Sequence, residues 1–219
     1  MKNRMTYILL ILAVCHCAFA QEGELVEDKK WHEGVYGLFN YSYLDLLIPG
    51  KWGATVGKEQ NQKRSWELEY LKSNLSLPFV LEDLGSMSDR RITFMGRSQL
   101  WFESLNIGYG VSHFYFELFL GSDLLDTASG GNTPSADVAQ VESLGSYLSI
   151  GNRWKFGKKV VFGVDWIAWS QPWIRLKQDS DYFDYDREGA DREAVKDALD
   201  VIHGFPRITL LKLQLGVLF

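Results

Sequence analysis

Cysteine is nearly missing. The chain has 2, Cys15 and Cys17, and both lie in its first twenty residues. If that segment is removed on export, the rest has no disulfide and no thiolate metal site. Long apolar runs are missing too. The apolar core Tyr7–Val14 (YILLILAV) is far short of the ~20 residues a membrane-spanning helix needs, and no later uninterrupted run is long enough. Histidine is scarce: beyond the first twenty residues only His32, His113 and His203 occur. None has the Ser–His spacing that nucleophilic catalysis on lipid needs. His113 follows Ser112, but neighbours on a strand point to opposite faces, and His113 is expected to touch headgroups near a membrane rim. No catalytic residue, metal site or cofactor is expected. No nucleic-acid partner is expected either.

What is present begins with an address. Lys2 and Arg4 precede the apolar core, and Ala18-Phe19-Ala20 is a small-x-small cleavage site. Residues 1–20 therefore read as a cleaved signal peptide, with Gln21 first in the mature chain. Val14 and His16 stand where a lipobox needs a small residue before Cys15 or Cys17, so lipidation is not expected. Residues 21–33 are expected to be a periplasmic segment, and 34–219 one domain.

The end of the chain carries the clearest pattern. Leu211, Leu213, Leu215, Val217 and Phe219 alternate with Lys212, Gln214 and Gly216. That is a strand with one apolar and one polar face. Similar alternation places strands at 34–47, 51–59, 63–76, 89–101, 103–118, 142–155, 158–171 and 206–219. Trp66, Leu68 and Tyr70 oppose Ser65, Glu67 and Glu69; Ile92, Phe94 and Leu100 oppose Arg91, Thr93, Arg97 and Gln99. Leu105, Ile107, Tyr109 and Val111 oppose Asn106, Gly108, Gly110 and Ser112. Leu144, Leu148, Ile150 and Trp154 oppose Gly145, Ser149, Gly151 and Arg153. Val160, Phe162, Val164 and Trp166 oppose Val161, Gly163, Asp165 and Ile167.

A soluble sandwich buries the apolar face and wets the charges; a membrane barrel does the reverse. Two features favour the barrel. Glycines gather on the polar face, where a narrow interior needs small groups. Tight connections near 60–62, 102 and 156–157 alternate with those at 48–50, 77–88, 119–141 and 172–205, three of them long. Short periplasmic turns and longer outer loops are the habit of outer-membrane barrels. Trp66, Trp101, Trp154 and Phe219 fall at periplasmic strand ends and Tyr43, Trp169 and Trp173 at outer ends, as an aromatic girdle does. The expected fold is all-β: an eight-stranded antiparallel transmembrane β-barrel with one short helix in the last outer loop.

The closing strand ITLLKLQLGVLF and the segments LGSYLSIGNRWKFGKKVVFGVDWIAW and SWELEYLKSNLSLPF resemble the small outer-membrane barrels of the OmpA/OmpX type and uncharacterised proteobacterial barrels of similar length, over about residues 34–219. The resemblance implies a Gram-negative outer-membrane location and this fold, and carries over no catalytic residue. It also implies that Leu211, Leu213, Leu215, Val217 and Phe219 form the signal read by the barrel-assembly machinery.

The inward charges are expected to be Glu67, Glu69, Arg91, Arg97, Arg153, Asp165 and Lys212, paired in a network that fills the lumen. The last outer loop carries Asp179, Asp181, Asp184, Asp186, Glu188 and Asp191, but lacks the Gly and closing Glu of a calcium loop. Residues 191–203 read as a helix with Val195, Leu199 and Ile202 on one face, stopped by Gly204 and Pro206. The expected role is structural or surface-interacting and non-enzymatic, with lipid and lipopolysaccharide as partners and no external ligand named. A narrow channel or small-solute transporter and a lipid-active enzyme are the alternatives.

Overall fold

Alternating side chains give each strand two faces, and every strand here has the partner it needs to hide its backbone. A computed structural model describes residues 34–61, 63–76, 86–100, 104–120, 136–157, 159–179, 200–201 and 203–219. The strands are β1 (Val35–Asp45), β2 (Lys51–Asn61), β3 (Arg64–Ser76), β4 (Ser86–Gln99), β5 (Leu105–Leu120), β6 (Ala136–Phe156), β7 (Val160–Asp179) and β8 (Arg207–Leu218). Each pairs antiparallel with the next, and β1 pairs with β8 to close the barrel. Where all eight strands overlap, closure leaves no unpaired edge, the condition for β-structure inside a bilayer.

One end of the barrel carries tight turns. Asn61 leads into Arg64 in two residues, and Gly157 takes a positive φ of 62° between β6 and β7. The other end carries long connections. The wall there is uneven: Arg207, the first residue of β8, faces Ser170, yet β7 runs on to Asp179. β6 and β7 thus outrun the strands expected at 142–155 and 158–171, standing as a hairpin above β8 and β1. At ~3.3 Å per residue, such strands exceed the 9–11 residues that cross a bilayer.

At one level the alternation breaks on three adjacent strands together. Asp165 faces Lys212 and Ile167 faces Leu210, leaving Trp166 and Leu211 without a cross-strand pair. On the far side of β8, Ser42 faces Lys212 and Leu44 faces Leu210, with Tyr43 left over. Three adjacent strands thus each carry an extra outward residue, and Leu211 takes a left-handed φ of 53° to do so. This corrects the expected face of Ile167: it points outward and is exposed, beside the equally exposed Trp166. Beyond the break, Asp45, Ala168, Ser170, Arg207 and Thr209 point inward.

Of the helix expected over 191–203, only Asp200, Val201 and His203 are described; they are helical, and the rest lies outside the described residues. This short end is tied to β7. Arg175 pairs with Asp200 at 2.6 Å, and Gln171 donates to the Gly204 carbonyl at 3.0 Å. The acidic run from 180 onward, Trp101 and residues 1–33 also lie outside the described residues.

Candidate functional site

The interior of the barrel is where the chemistry is concentrated. Glu67 on β3 accepts hydrogen bonds from Arg97 Nε at 3.0 Å, from Arg153 Nη1 at 2.6 Å and from the Tyr36 hydroxyl at 2.6 Å. Arg97 turns its other nitrogens to Asp165 on β7, at 2.8 and 3.2 Å, and to Asn106. Asp165 also takes Lys212 Nζ at 2.9 Å, and Lys212 reaches Glu69 at 2.5 Å and the Tyr147 hydroxyl at 3.2 Å. Arg91 continues the chain, with Glu69 at 3.4 Å and Ser170 at 2.9 Å.

These contacts join facing walls. Glu67 and Arg153 stand on β3 and β6, Arg97 and Asp165 on β4 and β7, and Glu69 and Lys212 on β3 and β8. A barrel of eight strands is just wide enough for its side chains to fill. Here charged side chains cross that width. A buried charge is tolerable only when paired and hydrogen-bonded, and each carboxylate named has at least two donors.

A second cluster lies toward the long-connection end. Lys51 bridges Asp45 at 3.0 Å and Asp89 at 2.5 Å; Arg207 donates to Asp89 at 3.2 Å and Thr209 to Asp45 at 2.7 Å. The Arg207 guanidinium lies 4.7 Å from the centre of the Phe114 ring. Phe114, Phe116, Ile48 and Leu71 are buried as well, so this end combines ion pairs with apolar packing.

Four of these charges were not among the expected ones. Lys51 shares its face with Thr55, and Asp89 with Arg91, so strict alternation could have found both. Asp45 and Arg207 lie beyond the break in β1 and β8, where counting by twos fails. The seven expected charges, Glu67, Glu69, Arg91, Arg97, Arg153, Asp165 and Lys212, all point inward and meet in the first cluster. At the short-turn end Glu59 pairs with Lys155, and Tyr36 lies over Gly57. A Cβ on Gly57 would stand 2.3 Å from the Tyr36 ring, so the glycine makes room for the tyrosine that braces Glu67.

The outer surface is the reverse of the interior. Leu211, Leu213, Leu215, Val217 and Phe219 are all exposed, as are Phe39, Val56, Leu68, Phe94 and Ile150. Tyr43 and Trp169 are exposed; Trp66 stacks on Phe94 and Trp154 on Phe162, at 5.5 and 5.7 Å between ring centres. Trp173 is half-buried, its indole N–H donating to Ser146 at 2.8 Å. His113 lies on this surface, 3.6 Å from Glu142, while Ser112 points inward to Thr93. Among the described residues no helix is long and apolar enough to cross a membrane, which says nothing of strands. Among them, too, no three His, Cys, Asp or Glu side chains are placed to hold a metal ion.

No protein-family model and no curated protein sequence matches the chain. Among solved structures it is similar to the N-terminal β-barrel domain of Pseudomonas aeruginosa OprF, at 7% identity and a TM-score of 0.44, over 86% of this chain and 98% of that one. It is similar to Neisserial surface protein A (NspA) at 9% identity and a TM-score of 0.44, over 85% of this chain and 95% of that one.

Proposed function

We propose that this protein is an integral outer-membrane barrel of a Gram-negative envelope, with a sealed interior, acting as a rigid non-enzymatic stem for its surface connections. The observation that carries the reading is its inverted construction. Ion pairs such as Arg97–Asp165 and Lys212–Glu69 cross the interior, while Leu213, Leu215 and Phe94 point out. A soluble monomer rarely exposes a contiguous apolar patch of more than a few hundred Å². An encircling band of such residues matches lipid. Residues 1–20, read as an export signal, supply the route, and the alternating β8 supplies the segment for the barrel-assembly machinery to read. The short-turn end then faces the periplasm and the long connections face outward, where contacts with external partners would be made.

The reading is tested by refolding the protein into liposomes whose acyl chains carry bromine. Bromine quenches indoles it touches, and Trp52, Trp166 and Trp169 are exposed on the barrel's outside. Strong quenching, together with a gel mobility that shifts on boiling, is the expected result. Unquenched fluorescence from folded protein would overturn it.

A further inference from the structure

The apolar outer wall has a basic edge. On its outward face Lys72 of β3 stands directly opposite Arg90 of β4. Side chains so opposed have Cβ atoms about 4.5–5.5 Å apart, and like charges in that position repel. Neither takes part in an ion pair among the described residues. The nearby carboxylates are engaged: Glu142 lies 3.6 Å from His113, and Glu117 hydrogen-bonds Tyr115. Arg90 is held in place all the same, its guanidinium 5.2 Å from the centre of the Tyr115 ring. On the other side Lys72 is in register with the exposed Trp52.

What lies next to the pair names the ligand. One step toward the short-turn end, Tyr70 faces Ile92, and two steps on, Leu68 faces Phe94; all four are exposed. One step the other way, Asn74 and Ser88 are polar and hydrogen-bonded to each other at 3.1 Å. The two cations therefore sit on the boundary between an apolar lane and a polar rim. A free anion needs only the cations. A lipid with an anionic headgroup uses both parts: its phosphate between Lys72 and Arg90, its acyl chains along Leu68, Tyr70, Ile92 and Phe94.

We infer that Lys72 and Arg90 form a binding site for the phosphate of a lipid headgroup in the outward leaflet. The site deepens the membrane reading above and rests on it. Arginine forks two N–H donors onto phosphate, and lysine adds a point charge, so together they neutralise a group that would otherwise face the belt alone.

The test is native mass spectrometry of the full-length protein in detergent micelles, with diphosphorylated lipid A, its dephosphorylated form and inorganic phosphate as probes. The wild type should retain lipid A and release the dephosphorylated form. K72Q/R90Q should bind lipid A at least about tenfold more weakly, the loss of a charged hydrogen bond or more. K72R/R90K, which keeps both charges, should retain most of the binding and controls for folding damage; R90Q alone is read if the double variant does not fold. Equal retention by K72Q/R90Q, or equal retention of dephosphorylated lipid, would overturn the site. Inorganic phosphate displacing lipid A at comparable concentration would overturn the lipid assignment. Failure of the wild type to insert into liposomes would sink the membrane reading instead, whereas insertion without lipid A retention would sink this site alone.

Discussion

Lys212 is the side chain on which the interior depends most. It gives Asp165 its second cation and is the nearest cation to Glu69, whose other one, Arg91, stands at 3.4 Å. Removing one member of a buried pair leaves the other charged and desolvated, at a cost of about 3–5 kcal/mol. Lys212→Met should therefore lower stability by that amount, read as the urea midpoint at which the heat-modifiable gel band disappears. Lys212→Arg, which keeps the charge, should lose far less. A Met variant with the wild-type midpoint would mean that Asp165 and Glu69 do not need the lysine. The residue types at this scale are readable from alternation alone, because Glu67, Glu69, Arg97 and Arg153 stand on regular stretches of strand and Lys212 begins the regular stretch of β8 that follows the break. Their partners are not. Glu67 meets Arg153, 86 residues away and three strands round the wall, and no local pattern encodes which side chains meet across a closed cylinder.

At the scale of the element, the break shared by β1, β7 and β8 is what separates the sequence reading from the fold. Alternation assumes one residue per step. At Tyr43, Trp166 and Leu211 the strands spend an extra one, and everything beyond changes face. All three residues are apolar and outward, so the hydrophobic pattern absorbs the slip without a mark. Counting by twos therefore puts Ile167 inward and passes over Asp45 and Arg207. Alternation likewise ends the hairpin of β6 and β7 short, because β7 carries two further unpaired residues there, Trp173 and Leu176, each at a register shift against β6. Leu211 makes the break testable. A left-handed φ of 53° is strained for any side chain and worst for a β-branched one. Leu211→Val should lower the urea midpoint by the equivalent of about 1–2 kcal/mol. The same change at Leu213, two residues on in the same outward row, should cost under about 1 kcal/mol. Equal effects at the two positions would argue that β8 runs through without the break.

The whole molecule is inverted: polar inside, apolar outside, with closure fixing both faces. The number of strands and the sidedness of the connections were legible because both follow from pattern and turn residues; closure itself is a long-range fact, completed only when β8 returns to β1. Inversion predicts an asymmetry between faces. Leu213→Arg, near the middle of β8 and exposed, should destabilise the inserted barrel by about 2–4 kcal/mol if it faces the bilayer midplane. Transfer of the variant from bilayer to detergent micelles should recover much of that loss; a loss of the same size in both would place Leu213 in a protein core instead. The most direct test is the current through the barrel itself. Inserted into a planar bilayer, with insertion confirmed by the heat-modifiable band, the wild type should pass no porin-sized steps, because Arg97–Asp165, Arg153–Glu67 and Lys212–Glu69 fill the lumen from wall to wall. Stable, ohmic conductance steps from the unmodified protein, comparable to those of an open porin, would contradict the sealed interior.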